Sequence, residues 1–498
     1  MTPTKISNVV IVGGGTSGWI TAALLVKVLG RVINITLVES DEIGTIGVGE
    51  ATIPPIVQLN NALGISEKTF LAHTKGTFKL GIEFNDWGQL GDSYMHAFGG
   101  IGKSLPFCDF HHLWLQSKQQ GGNSDFWDFS LNYQAAMAGK FGPSQKIAST
   151  NIQGLEYAYH FDAGLYAGLL SEFSQGLGVK RLEGKVTEVV VNQNNGDVSH
   201  LCLANGEHLY GDLFIDCTGL KALLIEQTLN TGFEDYSHWL PCDRAVAVPC
   251  EKVEPIVPYT RSTAHSCGWQ WRIPLQHRTG NGLVYSSKYL SDEAAKAQLL
   301  NSLDGKPLGE PKIIAFKTGR RRKQWHKNVV AIGLSNGFFE PLESTNIHLI
   351  QTAATRLIKF FPHFGIKDAE VSEFNRQAQV EAEQMRDFII LHYKVNQKVD
   401  SPFWQACQRM EIPHTLAQKI ALFAQSGKVF REQDELFTEI AWQQVMLGQN
   451  LVPADIHPIA TMLSPLQLSE LMENLKTLVD HNVAGIVSHS DFLAQIAH

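Results

Sequence analysis

Three groups of residues in this chain have types and spacings that could carry chemistry. The first is Gly13, Gly15 and Gly18, which follow the apolar run at 9–12 in Val-Val-Ile-Val-Gly-Gly-Gly-Thr-Ser-Gly-Trp. The first glycine of such a set permits a tight turn, and the second lets backbone approach a pyrophosphate. The third lets a helix pack on the strand, while the helix start at Thr16 and Ser17 offers free amides to phosphate. Glu39, at the end of a second apolar run over 34–38, is placed to accept hydrogen bonds from an adenosine ribose. The second group is Lys79, in Thr-Phe-Lys-Leu-Gly-Ile-Glu-Phe at 77–84. The third is Glu343, just ahead of Ser344, Thr345 and Asn346 at a helix start, where unpaired amides favour an anion.

These residues need elements to hold them. A strand, glycine turn, helix and strand over 9–39 predict a parallel α/β nucleotide-binding unit. The Gly- and Pro-rich loop 44–55, which contains Glu50 and Ala51, is a candidate wall for the cofactor. A helix is expected over 56–63. Apolar alternation at Phe78, Leu80, Ile82 and Phe84 predicts one half-buried strand with Lys79 on its polar face. His96 and Phe98 share a side if Tyr94–Gly100 is extended. A helix over 163–175 precedes strands at 185–191, 198–203 and 208–215, with Asn-Gly turns between them. A meander of this kind returning to a parallel sheet suits a flavin fold better than a nicotinamide dehydrogenase. Trp269, Trp271 and Ile273 share a strand face, with Gly280-Asn-Gly read as the hairpin turn and 283–286 as the return strand. A buried strand at 328–333 leads into the Glu343 loop. A helix then runs to about 361, with Ser344 or Thr345 as its N-cap. From 368 onward the pattern is mostly helical.

Composition narrows the classes. With 498 residues and 44% hydrophobic content, the chain can bury a large core. A net charge of −8 without a basic run argues against nucleic acid as the main partner. The seven cysteines are dispersed without a C-x-x-C pair, which predicts reduced thiols in a cytoplasm and neither a disulfide frame nor a metal centre. The nucleotide-binding strand starts within ten residues of Met1, so no signal peptide is expected, and no apolar run has membrane-spanning length.

Taken together, these motifs resemble the flavin-dependent tryptophan halogenase family. The matching points are Gly13-Gly-Gly-Thr-Ser-Gly-Trp, Gly47-Val-Gly-Glu-Ala-Thr, Lys79 in Phe-Lys-Leu-Gly-Ile, Trp269-x-Trp271-x-Ile-Pro274 and Pro341-Leu-Glu-Ser-Thr. The likeness covers nearly the whole chain. It implies an FAD-binding Rossmann-like body over 1–360 with interleaved substrate-binding sheet segments. A helical part over 361–498 would pack on the substrate side. It implies that reduced FAD, oxygen and chloride or bromide yield hypohalous acid, with Lys79 and Glu343 as the catalytic pair. The halide would rest at Thr345 and Asn346. Relatives often have glycine where Asn346 stands, and asparagine tolerates left-handed geometry. Cofactor contacts are assigned to Gly13, Gly15, Thr16, Ser17, Gly18, Glu39, Glu50, Ala51, Val186, Leu334 and Ile347. The resemblance also implies a separate flavin reductase and a small aromatic substrate, and it leaves a homodimer open.

One departure stands out. Tryptophan-recognising members hold the amino-acid end with a tyrosine pair and a later glutamate. Aligned on Gly448, this chain has Trp442-Gln443 and Gln449 there. The expected substrate is therefore an indole or related arene in a pocket with His96, Phe98 and Trp442. Two rival readings are a flavin monooxygenase, which would need neither Lys79 nor Glu343, and a flavin-binding protein without catalysis.

Overall fold

The computed structural model describes residues 5–43, 49–143, 147 and 153–497. Residues 44–48 of the loop 44–55, including Gly47 and Val48, lie outside the described residues. The chain forms two compact units, and each gathers three separate stretches. The boundary read near residue 360 gives way to this interleaving.

The first unit comprises Met1–Gly76, Phe161–His238 and Ala315–Glu383. Its central sheet runs in the order Trp325–His326, Val329–Ala331, Leu213–Asp216, Asn8–Val12, Asn34–Glu39, Lys180–Glu183. All neighbours are parallel except the first pair. Strands buried on both faces read as continuous apolar runs, as in Val-Val-Ile-Val. The helix Thr16–Leu29 connects two adjacent parallel strands and packs on Ala163–Gly176 and Asn346–Lys359. A three-stranded antiparallel meander, Val186–Val191, Val198–Leu203 and His208–Tyr210, lays Leu201, Leu203, Val189 and Leu209 on a core shared with Val10, Phe214 and Val329. The strand expected over 208–215 is two strands. His208–Tyr210 closes the meander, and Leu213–Asp216 pairs in parallel with Asn8–Val12. Gly211 and Asp212 form the corner, with Asp212 capping the amides of Ser7 and Asn8.

The second unit comprises Thr77–His160, Trp239–Ile314 and Gln384–His498. Arg244–Ala247, Arg278–Tyr285, Gly268–Pro274 and Thr260–His265 run antiparallel, each to the next. Gly81–Asn85 joins in parallel, and Ser93–Ala97 follows antiparallel. Gly280-Asn-Gly is not a turn. It lies inside the strand Arg278–Tyr285, and the chain reverses at 275–278, where the Leu275 amide bonds the Arg278 carbonyl at 2.9 Å. A side chain at Gly282 would overlap the Trp271 ring, which sits directly opposite it. Asn281 is buried and donates to the Thr279 carbonyl. Here glycine serves ring packing, not chain reversal. From Gln384 onward the chain is mostly helical, with the end of Asp368–Lys394 followed by Pro402–Arg409, His414–Ser426, Glu439–Gly448, Pro465–Ala484 and His489–Ala497. Among the described residues, no helix is long and apolar enough to cross a membrane.

Candidate active site

The glycine fingerprint folds as its spacing requires. Gly13 has φ +111°, and a Cβ there would lie 2.3 Å from the Cys217 carbonyl oxygen. A Cβ on Gly18 would lie 1.9 Å from the Gly13 carbonyl, so the helix and turn touch through bare backbone. Among the described residues, by contrast, nothing lies within 4 Å of a Cβ position on Gly15. It caps the helix Thr16–Leu29 with extended backbone and no side-chain bond, leaving the first helical amides open to an anion. Thr16 lies within reach of the Ala163 carbonyl, and Ser17 sits against Gly333. The open space at Gly15 and the uncapped helix start fit the pyrophosphate of FAD.

Glu39 closes the strand Asn34–Glu39. Its Oε1 accepts from Arg181 Nε at 2.5 Å, and its Oε2 lies under Gly14. Arg181 thus fixes the acid beside the glycine turn, a partner that sequence spacing did not reveal. Glu50 and Ala51 lie on the short strand Gly49–Ala51, and burial pushes the Glu50 carboxyl up to about 7. Val186 is half-buried on the meander, and Leu334 lies in the turn Gly333–Ser335.

The Glu343 loop is a short helical turn, Pro341–Glu343, opened by proline. Leu342 and Glu343 are buried. Ser344 then adopts left-handed backbone at φ 58°, and its amide bonds the Pro341 carbonyl at 3.1 Å. That reversal starts the helix Asn346–Lys359 at Thr345, which is its N-cap and makes no side-chain cap bond. Asn346 is the first helical residue, so the left-handed position expected of it belongs to Ser344. Ile347 is buried on the core side of the helix. Among the described residues, Thr345 Oγ1, Ser335 Oγ and Asn336 Oδ1 are buried and find no hydrogen-bond partner. Buried polar atoms in this condition are rare, and a bound polar group resolves them. They fit a flavin edge and a halide at this helix start.

Lys79 belongs to the second unit. It is fully buried, not on a wet strand face as alternation suggested. The expected single strand is two, Thr77–Lys79 and Gly81–Asn85. The first pairs with Ala158–Asp162 and the second with Thr260–His265 and Ser93–Ala97. Both faces are covered, so Thr77, Lys79 and Glu83 are buried together with the apolar residues between them. Glu83 meets Arg261 at 2.8 Å. Lys79 Nζ stands 5.4 Å from the centre of the Phe98 ring, a cation–π contact.

Buried histidines hold this strand. His489 Nε2 accepts the Phe78 amide proton at 3.2 Å, and its Nδ1–H donates to the Ile256 carbonyl at 2.9 Å. Burial pushes the His489 imidazole down to about 4. Thr77 Oγ1 donates to the Pro274 carbonyl at 2.6 Å, so it must accept from His160 Nδ1 at 3.0 Å. His160 Nε2 then accepts from Thr260 Oγ1 at 2.9 Å. Burial and the neighbouring Lys79 charge hold His160 well below its usual range. The last residue of Trp-Gln-Trp-Arg-Ile-Pro is thereby tied to the strand that carries Lys79. Trp269 and Trp271 lie 6.1 Å apart on one strand face, as read.

His96 and Phe98 are both nearly buried. His96 packs on Phe388 at 5.6 Å and Phe437 at 6.2 Å. Gln444, which carries no sequence signal, grips Ala97 twice through its side chain. It accepts the Ala97 amide at 2.9 Å and donates to the Ala97 carbonyl at 3.1 Å. Trp442 is a core residue whose indole N–H bonds Glu435 at 3.0 Å and whose ring meets Phe388 edge-on. Phe388 is in ring contact with both Trp442 and His96. Glu435 is paired with Lys419 at 2.5 Å. Gln449 is buried and donates to Tyr94 Oη and the His392 carbonyl, both at 3.1 Å.

A parallel sheet with an open glycine turn and an anion-ready helix start defines a dinucleotide-binding enzyme, and comparison with known proteins states which kind. The family model for tryptophan halogenase matches residues 8–465. Tryptophan 6-halogenase SttH of Streptomyces toxytricini is 36% identical over 439 residues, 83% of each chain. Xcc4156, a flavin-dependent halogenase from Xanthomonas campestris, superposes with a TM-score of 0.95 at 46% identity, over 99% of each chain. BrvH, a flavin-dependent halogenase from Brevundimonas sp. BAL3, gives a TM-score of 0.95 at 41% identity, over 99% of this chain and 100% of its own. The chain belongs to the tryptophan halogenase family. It is an FADH₂-dependent halogenating enzyme that uses halide as co-substrate.

Proposed function

We propose that this enzyme halogenates an uncharged, electron-rich arene, such as indole or an indole or phenol within a larger molecule, in preference to free tryptophan. The observation that carries this reading is Gln449. It stands where tryptophan-recognising relatives are read to place a glutamate, and its amide protons are committed to Tyr94 and His392. Trp442 likewise commits its N–H to Glu435. Free tryptophan carries an ammonium and a carboxylate, and burying an ion without a partner costs about several kcal/mol even after relaxation. Neither residue supplies a charge to meet them. His96 and Phe98 suit a flat neutral ring.

Bound FADH₂, with oxygen, supplies the oxidising equivalent that turns halide into hypohalous acid. Thr345, Asn346 and the helix amides that follow hold the halide. Lys79 donates an N–H to the oxygen of hypohalous acid and steadies the leaving hydroxide. The halogen bonds to a ring carbon, and Glu343 removes the proton from that carbon. Arene and hypohalous acid become haloarene and water. Indole reacts at C3, its most electron-rich carbon, and bromide outperforms chloride because it is easier to desolvate and oxidise. FADH₂ comes from a separate reductase.

The test is a competition between indole and free tryptophan. Purified enzyme receives a flavin reductase and either halide, and products are read by mass spectrometry. Halogenated indole in excess supports the proposal. Efficient, regioselective chlorination of free tryptophan overturns it.

A further inference from the structure

The antiparallel meander of the first unit carries a side-chain cluster that the halogenation chemistry does not use. His200 and Cys202 are two apart on Val198–Leu203, so they project from the same face. His208, on the next strand, is the direct cross-strand neighbour of Cys202. Leu201, Leu203 and Leu209 take the opposite face into the core, which leaves the cluster toward solvent. One ligand atom from each of His200, Cys202 and His208 lies within 4.8 Å of the other two. The two imidazoles stack at 4.8 Å with 17° between their planes.

We infer that His200, Cys202 and His208 form a binding site for a late first-row divalent cation such as Zn²⁺. Two imidazole nitrogens and one thiolate are the donors that Zn²⁺ takes, with water completing a tetrahedron. Zn–N near 2.0 Å and Zn–S near 2.3 Å place tetrahedral ligand atoms about 3.3–3.7 Å apart. The present separations, up to 4.8 Å, exceed that span by about an ångström, a gap for side-chain rotation to close on binding. The hydrogen bond between His200 Nδ1 and Ser199 Oγ, at 3.2 Å, fixes that ring and leaves Nε2 to the metal. Glu188 faces Cys202 from the third strand and brings a carboxylate to the same face. Binding expels the Cys202 thiol proton and joins two strands of the meander through one ion.

The test uses tag-free protein, stripped by chelator and titrated with ZnCl₂ by calorimetry, and with CoCl₂ by absorption. One Zn²⁺ per chain is expected at this site, with a thiolate-to-cobalt charge-transfer band and tetrahedral cobalt absorption. Cys202→Ser should abolish the charge-transfer band, and His208→Ala should weaken Zn²⁺ binding at least about tenfold. Both substitutions are on a solvent-facing sheet surface, and halogenation by the metal-free variants should match wild type. Unchanged Zn²⁺ affinity in both variants, or no charge-transfer band in wild type, overturns the inference.

Discussion

His489 accepts the backbone amide proton of Phe78, the residue directly before Lys79, at 3.2 Å. A residue 411 positions away in sequence thus fixes the short strand that presents the lysine. Its other nitrogen must carry the proton, since it faces the Ile256 carbonyl. Only the neutral ring satisfies both bonds. His489→Phe keeps a ring but leaves a buried amide and a buried carbonyl without partners, at about 1–3 kcal/mol each. Chemical denaturation should show that loss, and halogenation should fall further than flavin affinity.

The same histidine sets a pH dependence. Its folded value, about 4, lies below its ordinary 6.5. The unfolded chain therefore binds the extra proton first as pH falls. The stabilisation is complete above about pH 6.5 and is lost on descent toward pH 4. His111, also pushed down to about 4, acts in the same direction. Melting temperatures measured from pH 7 to pH 4 should decline, and less steeply in His489→Phe. A flat profile in wild type would contradict the assignment.

Lys79→Met fills the buried space without the charge. Halogenated product should drop by about 10²-fold or more, the scale of a lost proton-transfer group. FAD binding should persist. Turnover above a third of wild type would remove Lys79 from the chemistry.

Glu343→Gln preserves shape and removes the base. Turnover should fall by about 10²–10⁴-fold. A variant within a factor of about three of wild type would exclude Glu343 as the proton acceptor.

The two fingerprint glycines should fail differently. Gly13→Ala drives a methyl group into the Cys217 carbonyl at a positive φ, and should destabilise the fold by more than about 1 kcal/mol. Gly15→Val has open space and extended backbone, so the protein should fold with near-normal stability. Its branched side chain then occupies the pyrophosphate position, and FAD affinity should fall at least about tenfold. Thermal melts with and without FAD separate the two outcomes.

Local patterns were readable where one interaction dominates. The glycine turn, the helix after Thr345 and the Trp269–Trp271 face follow from short-range sterics and alternation. Patterns failed where burial came from distant chain. Alternation at 77–84 looked like a half-wet strand, but partners from 158–162 and 260–265 cover both faces. Gly280 and Gly282 looked like turn residues, and only the Trp271 ring opposite explains the second of them. His160, His489 and Gln444 had no sequence signal, because their partners are backbone groups or side chains far along the chain. The His200–Cys202–His208 cluster has no C-x-x-C spacing, because its members come together across a hairpin. The His-x-Cys alternation, followed by a hairpin turn and a second histidine, was the available cue.

The assembly of each compact unit from three separate stretches has a consequence for synthesis. Residues 8–39 are made well before the strands at 213–216 and 180–183 that flank them in the finished sheet, and before 329–331, which pairs beyond 213–216. The nascent nucleotide-binding half must wait until about residue 383 has left the ribosome, a delay on the order of twenty seconds or more at ordinary elongation rates. During that interval its parallel strand edges lack their permanent neighbours, which makes them natural clients for chaperones. For the same reason, no single cut yields a self-sufficient fragment, and productive chimeras with relatives must exchange three segments together.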